Sequence, residues 1–309
     1  MIDVTCTTLT KAGFQVSSII GLRSICFDVV GRKDGMVLVI KVLGNVDALS
    51  RSSAEEIKTM AGALEAHPVL IGASSSSGPL EKGIVYSRFK IPMISNDTLA
   101  DHLLEEVPPF IFAAPGGLYV NIDGPLLREL RESRNISLSV LAETAGVSRR
   151  TIQMYETGMG AIIDAALKLE EFLCTPMIQP VDPFGYKGKD GLEYCEIRDG
   201  HTGNRPLDHM FEIGFSVVPV TRGPFDAVTK SQATVFLTGL GSDDKKLRQK
   251  ASAVSDISDL IGKHAVIIVN DTDGVDSIKS TALISDRELE KIDDKNDLID
   301  LVFTRSTKK

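Results

Sequence analysis

The 309-residue sequence lacks several things, and each absence narrows the reading. It has no apolar run as long as a membrane span, so no transmembrane helix is expected. Its first 14 residues, MIDVTCTTLTKAGF, lack a basic region followed by an apolar core. No signal peptide is therefore expected, and the reading is cytoplasmic. Its four cysteines, Cys6, Cys26, Cys174 and Cys195, are scattered, with no CxxC pair. That pattern argues against a disulfide or zinc framework and for reduced, mostly buried thiols. There is no excess of positive charge: 34 Lys and Arg face 42 Asp and Glu, a net charge of −8. Such a balance speaks against a surface that coats nucleic acid as a whole. It leaves room for one small DNA-binding module carried by acidic domains. What is present is ordinary for a soluble globular chain, 43% hydrophobic and 25% charged, long enough for two or three domains.

The clearest pattern lies at 126–173, LLRELRESRNISLSVLAETAGVSRRTIQMYETGMGAIIDAALKLEEFL. Apolar residues recur three and four apart, at Leu127, Leu130, Leu138, Leu141, Val147, Ile152, Tyr155, Leu169 and Leu173 among others. The spacing predicts helices near 124–134, 138–144, 149–156, 162–166 and 166–174. Ser137 and Ser148 stand where N-caps belong, and Gly146 stands where the chain must turn sharply between two helices. Leu130, Leu141, Ala142, Val147, Ile152 and Tyr155 read as core. Arg128, Arg131 and Arg134 read as a solvated face, partly offset by Glu129 and Glu132.

The ordered run Leu130, Leu141-Ala142, Gly146-Val147-Ser148, Ile152, Tyr155-Glu156 and Gly158 resembles the Cro/lambda-repressor-like helix-turn-helix family. The resemblance implies that helix 149–156 enters the major groove of double-stranded DNA. It assigns base reading to Arg149, Arg150 and Met154, with Thr151 and Gln153 as backbone or flanking contacts and Ser148 at the helix start. Leu138 departs from the family, which often has a glutamine there that touches phosphate. Over 121–160 there are five arginines, no lysines and five acids, so affinity per module should be modest. A homodimer reading two half-sites would compensate.

The N-terminal part reads as α/β: a helix over 1–12, strands at 14–20, 25–31 and 36–43, a helix at 51–66, a strand at 68–72, a flexible turn over Ser74–Gly78, strands at 84–86 and 91–95, and a helix at 97–106. The run Met36-Val37-Leu38-Val39-Ile40 suits a central strand buried on both faces. This order loosely resembles the restriction-endonuclease-like core. Active members of that fold hold Mg²⁺ with an acid on one strand and an acid two residues before a lysine on the next. Asp28 and Lys41 match two of those positions; Val39 stands at the third. Valine offers a hard cation no oxygen. Glu55 and Glu56 on the following helix are the substitutes within reach.

The same landmarks return near the C-terminus. AGFQV (12–16) is matched by IGFSV (213–217), FDVV (27–30) by FDAV (225–228), and VLVIKVLG (37–44) by TVFLTGLG (234–241). HPVLIG (67–72) is matched by HAVIIV (264–269), and IPMISNDTLADHL (91–103) by TALISDRELEKI (281–292). Order is preserved throughout, the signature of an internal duplication. Asp226 matches Asp28, while the second copy shows neither the acid nor the lysine of the following strand. Residues 181–204, rich in Gly, Pro, Asp and Lys, read as a linker.

The fold expected is therefore α/β and multi-domain. Two restriction-endonuclease-like α/β domains related by an internal repeat, 1–115 and 181–309, flank an all-α helix-turn-helix domain at 116–180. From end to end the chain resembles the archaeal helix-turn-helix transcriptional regulators. The carrying features are GFxV, FDVV…VLVIKVLGNVD, AEEIK, PPFIFAAPGGLYVNIDG, the Cro-like module and PVDPF. That resemblance implies a DNA-binding regulator without catalytic residues, metal or cofactor, whose flanking domains dimerise or sense a ligand; a small-molecule effector is left open. The rival readings are a metal-dependent nuclease targeted by the helix-turn-helix and a scaffold that no longer reads DNA.

Overall fold

The computed structural model describes residues 1–18, 25–185, 202–232, 234–241, 245–272 and 274–306. Most of the linker expected over 181–204 thus lies outside the described residues. The N-terminal part runs α1 (Ile2–Lys11), β1 (Gln15–Ser18), β2 (Val29–Lys33), β3 (Met36–Asn45), α2 (Arg51–Ala63), β4 (His67–Ser75), β5 (Gly78–Pro79), β6 (Ile84–Arg88), β7 (Ile91–Ile94) and α3 (Asn96–Leu104). The middle runs β8 (Ile111–Ala114), β9 (Gly117–Ile122), α4 (Gly124–Ser133), α5 (Leu138–Ala145), α6 (Arg149–Glu156), β10 (Ala161–Ile162), α7 (Ile163–Leu173) and β11 (Ile178–Gln179). The C-terminal part runs α8 (Arg205–Glu212), β12 (Ser216–Pro219), β13 (Ala227–Ser231), β14 (Thr234–Gly241), α9 (Lys245–Ile261), β15 (His264–Val269), β16 (Ser277–Ile278), β17 (Thr281–Ser285), α10 (Asp286–Leu289) and α11 (Lys295–Ser306).

These elements gather into two compact units. The first holds Met1–Leu43, Asp47–Val69 and the described residues of 192–309; the second holds Gly44–Val46 and the described residues of 70–191.

In the first unit, β1, β2 and β3 form an antiparallel ladder in which Val29 faces Ile40. The β2–β3 hairpin turns at Asp34 and Gly35, both with positive φ, as a tight two-residue hairpin requires. Val30, Leu38, Val39 and Ile40 are fully buried, which is why the sequence there is apolar without alternation. The second copy repeats the ladder in β12, β13 and β14, with Ala227 facing Thr238. β14, β15 and β17 then pair in parallel, and β16 runs antiparallel to β17. In the second unit β4 pairs parallel with β7, and β6 antiparallel with β7, the same arrangement again. The duplication read from the sequence is therefore a duplication of fold. The register sharpens it by one residue: Lys41 corresponds to Gly239, not Thr238.

The two copies also meet reciprocally within the first unit. α2 packs against β12, and α9 packs against β1 and β2. Arg32 donates from Nη1 to the Leu260 carbonyl near the end of α9, at 3.2 Å. Its counterpart Lys230 lies 3.9 Å from Glu65, just past the end of α2. Each copy thus sets a cation near the C-terminus of the other's helix, where the helix dipole favours positive charge.

Three local expectations differ. The strand expected over 25–31 begins at Val29, because the Cys26 N–H is drawn to the Arg222 carbonyl at 2.8 Å. The turn expected over Ser74–Gly78 is narrower, because β4 continues to Ser75 and pairs with Gly78. The helices expected at 162–166 and 166–174 are the single helix α7.

Candidate nucleic-acid interface

The second unit carries the helical module on a hairpin. β8 and β9 pair antiparallel, and β10 and β11 both add to β9. Asp123, at the end of β9, accepts from the Leu126 N–H at 3.0 Å and caps α4. Its other carboxylate oxygen accepts from Gln179 at 3.0 Å. The module is thereby tied at its entry and its exit to one strand. Its core holds Leu127, Leu141, Ala142, Ile152, Tyr155 and Leu169, all buried.

Ser137 caps α5 and Gly146 ends it in the left-handed region at φ 69°, a conformation that favours glycine. Ser148 caps α6, accepting from the Thr151 N–H at 3.1 Å, and the two hydroxyls hydrogen-bond at 2.8 Å. Ile152 and Tyr155 face inward, whereas Arg149, Arg150, Gln153 and Met154 are exposed and Thr151 is half-buried. Among the described residues Arg149 and Arg150 make no hydrogen bond or ion pair. Leu138 packs against the module's core, consistent with its departure from a polar residue.

The arginines of α4 do not form the solvated face the sequence suggested. Arg131 donates from Nε and Nη2 to the two carboxylate oxygens of Glu156, at 2.6 and 3.1 Å, joining α4 to the end of α6. The pair is largely buried, and the carboxylate raises the pKa of the guanidinium above its usual value. Arg134 donates to the Leu173 carbonyl at the end of α7, at 2.8 Å. Arg128 does lie exposed, paired with Glu132 one turn on. Two of the five arginines therefore hold the helices together. Arg149 and Arg150 remain uncommitted, side by side at the start of α6.

The nuclease-like frame gives a different result. Both carboxylate oxygens of Asp28 are engaged, one by Lys41 at 3.0 Å and one by the Val42 N–H at 2.8 Å. Val39 is fully buried and has no oxygen to offer. Glu55 pairs with Lys58 at 2.8 Å, and Glu56 accepts from Thr221 at 2.6 Å. This donor set does not fit the divalent cation that such a frame otherwise holds.

The second copy keeps the carboxylate's surroundings by another route. Asp226 accepts from the Leu240 N–H, as Asp28 does from Val42. Its lysine is Lys250, which reaches in from α9 and also donates to the Leu240 carbonyl at 2.7 Å. At the counterpart of Lys41, a Cβ on Gly239 would meet Ile267 at 2.9 Å and Lys250 at 3.5 Å. The Asp–Lys pair is conserved in space and relocated in sequence, so the lysine that seemed lost from the second copy is present.

The profile of the PD-(D/E)XK superfamily domain matches residues 1–109, and a helix-turn-helix profile matches 127–173. A protein of Methanocella arvoryzae named "Putative HTH-type transcriptional regulatory protein" is 38% identical over all of this chain and 97% of its own length. Proteins of the same type from Methanococcoides burtonii and Haloquadratum walsbyi are 37% and 38% identical, over 96% and 97% of this chain and 94% and 95% of their own lengths. The chain belongs to this family of HTH-type transcriptional regulatory proteins. No solved structure matches it. In this HTH-type regulator no helix among the described residues is long and apolar enough to cross a membrane.

Proposed function

We propose that this HTH-type regulator binds specific DNA sites as a homodimer, reading the major groove with α6. The reading rests on one observation above all. Arg149 and Arg150 are exposed at the start of α6 and unpaired among the described residues, while Arg131 and Arg134 are committed inside the module. An arginine can bond guanine O6 and N7 together, worth about 1–3 kcal/mol of discrimination per good contact. Met154 and Gln153 lie exposed further along the same helix, Met154 41% so, where apolar and amide contacts to base edges are available. Ser148 and Thr151 hold the start of the helix together, and in this reading they lie on the side that faces the DNA backbone. One reading helix per chain calls for two chains on paired half-sites.

Genome-wide mapping of occupied sites tests this reading. The expected result is a set of inverted repeats whose half-sites lie about 10–10.5 bp apart, or a multiple of that, centre to centre. Occupancy without any shared sequence would contradict it. The proposed activity is binding without cleavage, since Asp28 is fully engaged and Val39 carries no ligand. Mg²⁺- or Mn²⁺-dependent cutting of duplex DNA that disappears in Asp28→Ala would overturn that part.

A further inference from the structure

Beside the Asp28–Lys41 pair the first unit holds a cavity of about 430 Å³. Its walls are apolar at Ile25, Leu43 and Leu49 and polar at Lys41, Ser53 and Arg222. We propose that this cavity binds a small molecule with an apolar body and one anionic head, a carboxylate or a phosphate, held between Lys41 of the first copy and Arg222 of the second.

The size lies within the span of small-molecule sites, about 300–1,000 Å³, and polar and apolar side chains share the walls, so the site offers a surface for an apolar body and groups for a polar head. The two cations converge on the site with bonding capacity in hand. Lys41 divides its ammonium between Asp28 at 3.0 Å and the Ile25 carbonyl at 3.4 Å. Arg222 donates from Nη1 to Ser53 at 2.8 Å, while its Nε stays 3.7 Å from Glu56, beyond a hydrogen bond. Among the described residues Glu56 Oε2 has no hydrogen-bond partner, so this carboxylate does not take up the donors of Arg222. An anion entering between Lys41 and Arg222 would take charge-assisted bonds that the protein leaves unmade. The buried Cys26 thiol lines the same cavity. Its pKa is pushed up to about 12, by burial first and then by Glu56, while Lys41 and Arg222 act in the opposite direction. Both cations are therefore felt at the cavity wall.

The second copy shows how the space arises. Lys250 precedes the buried Ala251 on α9 just as Ser53 precedes the buried Ala54 on α2. In the second copy the lysine comes from the helix and crosses to Asp226. In the first copy it comes from the strand, and the helix position carries only a serine. Moving the lysine from helix to strand removes a long side chain from the helix side, where the cavity now lies. Because Arg222 comes from the other copy, a ligand here would bridge both halves of the first unit.

The test is calorimetric titration and thermal unfolding of the full chain with four probes: hexanoate, hexyl phosphate, hexanol and inorganic phosphate. The expected result is millimolar or tighter binding of hexanoate or hexyl phosphate, with a raised Tm, and binding of hexanol weaker by about tenfold or more. Whichever of the two heads binds better identifies the anion. Arg222→Ala and Lys41→Met should each weaken binding by about tenfold or more. Ser53→Lys, which installs the second copy's arrangement in the first, should abolish it while circular dichroism still reports the fold. Should Lys41→Met fail to fold, exposed Arg222 and half-buried Ser53 still decide the matter. No binding of either anionic probe, equal binding of hexanol, or undiminished binding in Arg222→Ala overturns the proposal. So does a loss of duplex DNA binding in Arg222→Ala without any anion effect, which would assign the cavity to nucleic acid. Probe binding should survive Arg149→Ala plus Arg150→Ala, so this inference and the DNA-reading helix fail independently.

Discussion

At the scale of single residues, five arginines of the helical module look alike in the sequence and do different things. Arg131 is fixed bidentately to Glu156, whereas Arg149 makes no hydrogen bond or ion pair among the described residues. Replacing Arg131 by Met leaves Glu156 without its donors and should destabilise the chain by about 1–3 kcal/mol, measured by urea unfolding. Arg149→Ala should change stability by no more than about 0.5 kcal/mol. An equal loss in both variants would remove the distinction drawn between them. The sequence could not show this division. Spacing along α4 places Glu132 beside Arg128 and Arg131, but Glu156 lies 25 residues away and is brought close only by packing of α4 on α6. The caps were legible for the opposite reason: Ser137, Ser148 and Gly146 act on backbone within three or four residues of themselves.

At the scale of elements, the strand pair FDVV…VLVIK was legible as two strands, because a buried central strand must be apolar on both faces and the turn needs residues that accept positive φ. The fate of its lysine was not. Lys250 lies on another element, 24 residues from Asp226, and no local pattern connects them. Gly239→Ala should destabilise the second copy by about 1–3 kcal/mol, because the added methyl meets Ile267 at 2.9 Å. Hydrogen exchange in β14 and β15 would register the loss. Helix α11 lies beyond the repeated landmarks, which end at residue 292, and no pattern in the sequence announces it; it docks on β15 and β17. Arg305 near its end bonds Glu288 at 2.7 Å, and this bond, with those from Ser285, lowers the Glu288 pKa from 4.5 to about 2. The folded value lies below the unfolded one, so the stabilisation is fully present above about pH 4.5 and is lost as pH falls toward 2. Glu288→Gln should flatten the decline of Tm across that window. An unchanged decline would mean that other carboxylates carry the acid sensitivity.

At the scale of the molecule, duplication explains why two α/β copies keep an Asp–Lys pair without the acid that a nuclease needs. What both copies retain is a carboxylate that accepts from a strand N–H and a lysine, a device that holds the start of one strand to the next. The copies pack reciprocally, α2 on β12 and α9 on β1 and β2, and that pairing follows from nothing local in the sequence. The net charge of −8 sets the remaining expectation. With few cations to neutralise phosphates, the dependence of log K on log salt should be shallow, about −0.9 per phosphate contact. The central claim is that α6 supplies sequence discrimination, and quantitative footprinting on a mapped genomic site tests it most directly. For Arg149→Ala plus Arg150→Ala, correctly folded by circular dichroism, the account predicts loss of the specific footprint, with affinity for that site falling by about 10- to 100-fold per lost guanine contact while binding to random duplex changes far less. A footprint identical to that of the unaltered protein would contradict it.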